Sequence, residues 1–246
     1  MNPLVVVTGG TKGIGRAVVE RFAEGGFDVV VSTRSENDLR QLKHEIEASV
    51  ADVLEGFDEA VMPTIFPFAA DLARRADVDR LIEFIRSLAR PVHALVNNVG
   101  IFLPGQVHNE PEGTFETTMN LNVASIYHLT RGLIGDMMQQ RQGHIFMMGS
   151  TASITAYPNG GSYCISKFAL LGMAKVLREE MKPYGVKVTT LLPGATYTDS
   201  WAASGLPEAR FMQAADVAEV IWSAYNLSVG AVVEEILLRP QLGDIK

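Results

Sequence analysis

The sequence is poor in cysteine, in long apolar runs and in basic charge, and each shortage excludes a class of protein. Its single cysteine, Cys164, excludes an internal disulfide. The N-terminal M-N-P-L-V-V-V lacks the basic region and long apolar run of a signal peptide, and no apolar run is long enough to span a bilayer. The net charge of −7 would repel nucleic acid and anionic membranes. We therefore expect a soluble, cytoplasmic chain with no nucleic-acid or membrane partner.

The sequence also lacks internal repeats, low-complexity tracts and clustered metal ligands. Its five histidines show no ligand spacing with one another or with Cys164, so no metal is predicted. Apolar residues are plentiful: they make up 47% of the 246 residues, which is enough for a large core. Because α/β folds of this length often form one domain, we expect a single domain over residues 1–246.

Short apolar runs alternate with amphipathic stretches along the whole chain, at the spacing of βαβ units. This alternation predicts an α/β fold, a single doubly wound parallel sheet with helices on both faces. Strands are predicted over residues 4–7, 27–32, 64–68, 93–100, 143–148, 187–192 and 232–238. After the helix that follows the first strand, helices are predicted over residues 36–55, 77–88, 112–138, 162–182 and 216–225.

Pro67 sets the third predicted strand apart from the others. Proline cannot donate a hydrogen bond to a sheet ladder and is disfavoured in central strands. We therefore expect this strand to be short, irregular or partly at an edge of the sheet, and to end at Asp71.

The turn after the first strand is rich in glycine and reads T-G-G-T-K-G-I-G at residues 8–15. Gly9, Gly13 and Gly15 let the backbone turn sharply and approach a ligand closely. Because N–H groups at the start of a helix attract phosphate, this turn suits a dinucleotide pyrophosphate. Its spacing departs from G-x-G-x-x-G, with three residues between the first two glycines, and a glycine-rich turn can also be purely structural.

The end of the second strand indicates which dinucleotide would bind. In NAD-binding folds an acidic residue near this point takes the ribose 2′-hydroxyl, whereas an arginine accommodates a 2′-phosphate. Here Thr33 stands where the acid would, Arg34 follows it, and Lys12 in the glycine turn adds a second positive charge. The sequence therefore predicts NADP rather than NAD. The alternative is that both cations are solvated surface charges.

Three asparagines lie where an amide needs a structural reason. Asn97 and Asn98 lie near the end of an apolar strand, and at the carboxyl end of a parallel strand they would face the ligand crevice and brace loops or cofactor. Asn122 lies in the middle of a predicted helix among apolar neighbours, where a buried amide needs hydrogen-bond partners.

Residues 150–167 hold a serine, then a tyrosine and, four positions later, a lysine. If Tyr163 lies in the first turns of a helix, Lys167 lies next to it on the same face. The ammonium would lower the tyrosine pKa from about 10, which makes Tyr163 a candidate general acid or base. Ser150, arriving from a strand end, would hold the substrate oxygen. A tyrosine and a lysine at this spacing also occur by chance in many helices, so the rest of the chain must support the assignment.

Taken together, these motifs resemble the short-chain dehydrogenase/reductase family over nearly the full length of the chain. The family's T-G-x-x-x-G-x-G occurs at residues 8–15, its D-L at 71–72, and its N-N-A-G at 97–100, with Val99 in place of alanine. Its active-site asparagine, serine, tyrosine and lysine correspond to Asn122, Ser150, Tyr163 and Lys167, and its P-G-x-x-x-T to residues 193–198.

The resemblance implies a Rossmann fold, NADP as cofactor and a definite set of site residues. Tyr163 would be the proton donor, Lys167 would lower its pKa and hold the nicotinamide ribose, Ser150 would orient the carbonyl, and Asn122 would position a water that links Lys167 to solvent. The implied cofactor-binding residues are Thr8, Gly9, Thr11, Lys12, Gly13, Ile14, Gly15, Thr33, Arg34, Asp71, Leu72, Asn98, Gly100, Tyr163, Lys167, Pro193, Gly194, Thr196 and Thr198.

The implied reaction is hydride transfer between NADPH and a ketone, aldehyde or 3-oxoacyl carbonyl, or the reverse reaction on an alcohol. Two alternatives stay open. One is a dehydratase or epimerase that uses the same tyrosine, and the other is a non-catalytic NADP-binding sensor or regulator.

The resemblance also implies a substrate segment and a mode of assembly. In this family the segment after the P-G motif closes over the substrate, and here it covers about residues 197–213. Its apolar residues, together with those at 154–158, indicate an apolar lid, although its aromatic residues would also serve packing or an oligomer contact; they are Trp201, Leu206, Phe211 and Met212. A homodimer or homotetramer through helices 112–138 and 162–182 is expected.

Overall fold

The apolar runs form one parallel sheet of seven strands in the order β3-β2-β1-β4-β5-β6-β7. The structure is a computed structural model that describes residues 1–54, 62–199, 201 and 204–245. The strands are β1 (Leu4–Thr8), β2 (Asp28–Thr33), β3 (Ile65–Ala69), β4 (Val92–Asn97), β5 (Gly143–Met148), β6 (Val186–Pro193) and β7 (Glu235–Leu238). All six neighbouring pairs are parallel.

Helices cover both faces of this sheet. They are α1 (Gly13–Glu24), α2 (Glu36–Leu54), α3 (Arg75–Ser87), α4 (Thr114–Met119), α5 (Ser125–Gln140), α6 (Gly161–Met181) and α7 (Ala214–Tyr225). Because successive strand side chains point to opposite faces, Val5 and Val7 pack with α1, α2 and α7, whereas Leu4 and Val6 pack with α3, α5 and α6. The predicted α/β class, a doubly wound parallel sheet, is confirmed.

The strand order reverses between β1 and β4, which places the ligand crevice of this fold at their carboxyl ends. From this point β1, β2 and β3 follow one another towards one edge of the sheet, and β4, β5, β6 and β7 follow one another towards the opposite edge. The glycine turn after β1 and the asparagines at the end of β4 therefore meet at this point.

The third strand lies at an edge of the sheet, as Pro67 predicts. Pro67 pairs with Val31 of β2, the only neighbour that β3 has within the described sheet. The predicted end at Asp71 is wrong, because β3 ends at Ala69. Asp71 instead belongs to the turn before α3, where its N–H donates to Asp77 Oδ2 at 2.9 Å and its Oδ1 accepts from the Ala73 N–H.

The predicted helix over 112–138 contains a π-helical turn at Asn120–Ala124, between α4 and α5. A π turn inserts a residue into the helical ladder and is frequent at functional sites. Asn122 lies in this turn and is buried. The final strand is also shorter than predicted, because it begins at Glu235 rather than residue 232. Residue 55, the predicted end of the second helix, lies outside the described residues.

Phe22 of α1 lies at the centre of an aromatic cluster on one face of the sheet, and its removal tests this packing. Its ring makes edge contacts with Phe27, Trp222 and Tyr225, at centroid distances of 5.1, 5.3 and 5.7 Å. Because Phe22 is fully buried, Phe22→Ala should lower the free energy of unfolding by about 3–5 kcal/mol. Urea unfolding measures this. Val229→Ala, at a position 95% exposed, is the control, and equal midpoints for the two variants would contradict the packing.

Candidate active site

Three glycines shape the turn between β1 and α1, and each has a steric reason to be glycine. Gly9 and Gly13 have positive φ angles of +64° and +52°, a region that glycine adopts at little cost. A Cβ on Gly15 would lie 2.1 Å from the Gly9 carbonyl oxygen, so a side chain there would force the turn open. The Gly9 N–H donates to the Ser32 carbonyl at 2.8 Å, which ties the turn to β2.

Asn98 and Thr8 lock this turn to the end of β4. The Asn98 side-chain amide donates to the carbonyl oxygens of Thr8 and Gly9, both at 3.0 Å. Thr8 Oγ1 accepts from the backbone N–H groups of Asn98 and Val99, at 3.0 and 3.1 Å. Asn98 therefore braces a loop, as expected, and Asn97 donates to Thr130 Oγ1 of α5 at 3.0 Å.

The start of α1 has the properties of an anion site. Lys12 occupies the N-cap position, and a lysine side chain cannot accept hydrogen bonds from the first helical N–H groups. These N–H groups and the positive end of the helix dipole suit a phosphate, so the residues present fit a dinucleotide pyrophosphate. Thr198, from the P-G-x-x-x-T segment, lies against the turn: its Cγ2 would be 2.8 Å from a Cβ on Gly13.

The cations predicted to favour NADP lie at the surface. Lys12 and Arg34 are both exposed, and Lys12 Nζ is 3.5 Å from Asp199 Oδ2. Thr33 ends β2 beside them. A cleft of about 420 Å³ lies along the glycine turn and α2, and Thr11, Lys12 and Gly13 are among its lining residues.

The other predicted cofactor residues lie on the same side of the sheet, where the strands have their carboxyl ends. Asp71 and the buried Leu72 follow β3, and Gly100 follows β4. Pro193 ends β6, and the Gly194 N–H after it donates to the Leu238 carbonyl at 2.8 Å. Thr196 Oγ1 donates to the Gly194 carbonyl at 3.2 Å. Since parallel strands end on one side, these residues surround the crevice.

Tyr163 and Lys167 lie one turn apart on α6, as predicted. Tyr163 is the third residue of the helix, and the Lys167 ammonium is 5.6 Å from the centre of its ring. Lys167 is buried, and its Nζ donates to the Met148 carbonyl at the end of β5, at 2.8 Å.

Asn122 connects α6 to the loop after β4. Its Oδ1 accepts from the Ile101 N–H at 2.8 Å, and its Nδ2 donates to the Ile101 carbonyl and to Ser166 Oγ, both at 3.0 Å. Ser166 Oγ in turn donates to the Tyr163 carbonyl at 2.7 Å. The sequence predicted that Asn122 needs partners but did not indicate Ser166, which has no signal beyond its position next to Lys167.

Ser150 follows β5 in a short, tightly bonded turn. Its Oγ accepts from the Ala152 N–H at 3.1 Å, and its own N–H donates to Ser153 Oγ at 3.2 Å. This reciprocal pair is a capping box for the 3₁₀ turn Thr151–Ser153. The Ser150 side chain also interacts with the Tyr163 hydroxyl.

Burial is the main cause of the pKa shifts of Tyr163 and Lys167, contrary to the sequence prediction. Burial raises the pKa of Tyr163, while the hydrogen bond with Ser150 acts in the opposite direction. The expectation that Lys167 lowers the Tyr163 pKa is therefore not met in this geometry. The ammonium is directed at the Met148 carbonyl, and burial lowers the pKa of Lys167 itself to about 8.

An apolar surface borders Tyr163. The Phe102 ring packs edge-on against the Tyr163 ring at a centroid distance of 4.9 Å, and Phe102 is 45% exposed. Ile154 and Tyr157 are exposed to similar extents, 42% and 40%. The sequence indicated the last two but missed Phe102, whose loop has no periodicity that would place it over the tyrosine.

The segment 197–213 packs largely upon itself. Phe211 is buried between Tyr197 and Trp201, at centroid distances of 5.8 and 5.3 Å, and Met212 is buried as well. Of the predicted lid side chains, Leu206 is 41% exposed. Residues 200, 202 and 203 of this segment lie outside the described residues.

The described part of the chain holds neither a cluster of metal-ligating side chains nor a membrane-spanning helix. There, no three His, Cys, Asp or Glu side chains come together as metal ligands. Within residues 1–54, 62–199, 201 and 204–245, no helix is long and apolar enough to cross a membrane.

The glycine turn and the Ser150, Tyr163 and Lys167 set agree with what comparison of the whole chain finds. A family model described as short chain dehydrogenase matches residues 3–208. The chain belongs to the short-chain dehydrogenase/reductase family.

Individual relatives carry different activities in their names. The chain is 35% identical to a protein named sepiapterin reductase from Chlorobaculum tepidum, over 100% of this chain and 99% of that protein. It is 32% identical to a 3alpha-hydroxysteroid dehydrogenase from Mediterraneibacter gnavus, over 85% of this chain and 78% of that protein. Its fold matches an alcohol dehydrogenase from the archaeon Thermococcus sibiricus, complexed with 5-hydroxy-NADP, with a TM-score of 0.87, 20% identity and 100% of both chains covered.

The buried ammonium of Lys167 predicts a pH-dependent stability difference. Below a pH of about 8 the folded chain buries a charge, and between that pH and about 10.4 the unfolded chain binds more protons, so stability rises with pH. Lys167→Met should therefore be more stable than the wild type by about 2–3 kcal/mol near neutral pH, and this difference should shrink as pH rises above 8.

Urea unfolding of both proteins at several pH values, without added ligand, measures this effect. Lys175→Met, an exposed lysine on the same helix, is the matched control and should show no such trend. A difference between Lys167→Met and wild type that is constant over the whole pH range would mean that Lys167 titrates as a solvated lysine does.

Proposed function

We propose that this protein is an NADPH-dependent oxidoreductase that transfers a hydride between nicotinamide and a carbonyl or alcohol carbon, with Tyr163 as general acid and base. The observation that carries this proposal is the arrangement on α6. Tyr163 lies one turn from a buried lysine, and Ser150 interacts with its hydroxyl at the crevice that the glycine turn borders. The Tyr163 phenol and the Ser150 hydroxyl lie together there, and the buried ammonium of Lys167 lies 5.6 Å from the centre of the tyrosine ring.

The cofactor would lie across the carboxyl edge of the sheet. The N–H groups at the start of α1 would bind its pyrophosphate, Lys12 and Arg34 its 2′-phosphate, and Asp71 and Leu72 its adenine. The residues 193–198 and Lys167 would hold the nicotinamide end. A solved relative is complexed with NADP and another with NADPH, which supports this choice of cofactor.

The chain's own residues handle the proton. Because burial raises the pKa of Tyr163, its phenol stays protonated at neutral pH, the form that donates a proton to a carbonyl oxygen being reduced. Ser150 would hold that oxygen beside the phenol. The bound cofactor supplies the hydride.

Lys167 suits the task of returning the proton to Tyr163. Its pKa of about 8 allows it to exchange a proton near neutral pH. Asn122 holds the backbone of Ile101 close by, and we propose that a water bound there links Lys167 to solvent. A Cβ on Gly100 would lie 3.6 Å from Lys167 Nζ, so the loop after β4 approaches the ammonium closely.

The substrate would be a ketone, aldehyde or 3-oxoacyl compound with an apolar group beside the carbonyl. The half-exposed Phe102 ring against Tyr163 supports this, because it offers apolar contact rather than charge, and Ile154 and Tyr157 are further partly exposed uncharged side chains in the segment after Ser150. The reductases and dehydrogenases among the relatives support the reaction class, and their different names leave the individual substrate to experiment.

The proposal includes a homodimer or homotetramer in the cytoplasm. Ile165, Phe168 and Val176 are between 41% and 58% exposed and recur along one face of α6 at helical spacing, which supports contact with a second copy. The single cysteine is compatible with a reducing compartment.

The role of Tyr163 is tested by Tyr163→Phe, which removes the transferable proton and keeps the ring. We expect kcat for NADPH oxidation with a carbonyl substrate to fall by about 10³-fold, while NADPH binding measured by fluorescence titration is retained. Tyr184→Phe, at an exposed tyrosine, is the control. An unchanged rate would remove Tyr163 from the mechanism. A wild-type protein that binds NADPH but reduces no compound in a broad carbonyl panel would instead support the sensor.

The choice of NADP rests on Arg34. Arg34→Ala should raise the KM for NADPH about tenfold and leave the KM for NADH unchanged. The substitution removes a charged hydrogen bond to the 2′-phosphate, a group that NADPH has and NADH lacks. Arg40→Ala, an exposed arginine on α2, should change neither value. A wild-type enzyme with the higher kcat/KM for NADH would contradict the assignment.

A further inference from the structure

We propose that Glu110 is a positioning residue for Tyr163: from the loop after β4, its carboxylate caps the N-terminus of the helix that carries the tyrosine. The inference rests on the proposed function, because it concerns how α6 presents Tyr163. Glu110 lies in the loop of residues 101–113, before α4, and the sequence assigned this glutamate no role.

The carboxylate of Glu110 binds the residue immediately before Tyr163 through two hydrogen bonds. Its Oε1 accepts from the Ser162 N–H at 2.8 Å, and its Oε2 accepts from the Ser162 hydroxyl. The N-cap position of α6 is Gly160, which has no side chain to satisfy the N–H groups of the first turn. Glu110 supplies the missing acceptor from another part of the chain and places a negative charge at the positive end of the helix.

Two glycines make room for this carboxylate. A Cβ on Gly161 would lie 1.9 Å from Glu110 Oε1, and a Cβ on Gly105 would lie 2.5 Å from Glu110 Cγ. Any side chain at either position would displace the glutamate. The local backbone is therefore shaped around Glu110, which a chance surface contact would not require.

The same loop is tied to the start of α6 at a second point. The Gly105 N–H donates to the Asn159 carbonyl at 3.1 Å, and Gly105 forms a β-bridge with Gly160. At its beginning this loop carries Phe102, whose ring lies against Tyr163. Glu110 thus holds both the helix turn that contains Tyr163 and the loop that packs on its ring.

The two residues of the catalytic pair depend on this cap to different degrees. Tyr163 lies in the first turn of α6, where loss of a cap lets a helix fray. Lys167 lies a turn further on, buried and bonded to Met148. Loss of the cap should therefore misplace the phenol and leave the lysine in position, which lowers kcat more than it weakens cofactor binding.

The test is a set of substitutions at Glu110, assayed in the full-length protein. Glu110→Ala should lower kcat about tenfold and leave the NADPH dissociation constant within about twofold of wild type. Glu110→Gln retains the side-chain length and an oxygen that accepts from the Ser162 N–H, so its kcat should be close to that of wild type. Glu112→Ala, an exposed glutamate of the same loop, should have no effect.

Each outcome decides the proposal. Equal kcat for Glu110→Ala and wild type would overturn it, as would parallel losses of kcat and NADPH affinity, which would indicate general loosening. If Glu110→Ala does not fold, Glu110→Asp replaces it. Its shorter side chain should not reach both Ser162 donors, so kcat should fall below that of wild type, and a kcat equal to that of wild type would overturn the proposal. If Tyr163→Phe has the same kcat as the wild type, the proposed function itself is refuted, and this result is separate from any result at Glu110.

Discussion

The site depends on the hydrogen bonds that join the end of β1 to the end of β4. Thr8 and Asn98 exchange side-chain and backbone bonds across the point where the strand order reverses. From there the chain leads within three residues to Ile101, which Asn122 holds on both its N–H and its carbonyl. Asn122 then reaches the backbone of Tyr163 through Ser166. The proposed phosphate site and the proposed acid are thus parts of one bonded framework, so their separation is fixed by the fold.

This framework keeps a charged group in an unfavourable place. Lys167 is buried, and its ammonium donates to a neutral carbonyl, that of Met148, rather than to a carboxylate. Desolvation disfavours the charge, and the folding energy of the two apolar layers must offset that cost. In the proposed mechanism, a lysine that releases its proton readily would help to reprotonate Tyr163 after each turnover. The same burial that costs stability therefore prepares the site for proton transfer.

Local pattern in the sequence was enough to predict the sheet, the positions of its strands and the spacing of Tyr163 and Lys167 on one helix. These features depend on periodicity and on neighbours close in the chain. The end of β3, the π turn at Asn122 and the later start of β7 depend on hydrogen bonds between distant segments, and the sequence did not predict them. Glu110 and Phe102 were missed because only the folded loop brings them to α6. The direction of the Tyr163 pKa shift was wrong because spacing shows a neighbouring charge but not the depth of burial.

The proline of the edge strand limits the pairing of a further strand with the sheet. Thr64 and Ala70 direct their backbone bonds inward to β2, so, by the alternation along a strand, Pro67 faces outward. At the middle of the open edge, where an added strand would need a donor, the chain has none. A sheet rich in valine is a template for fibre growth if its edge is left complete. At the β3 edge that route is interrupted by a single residue.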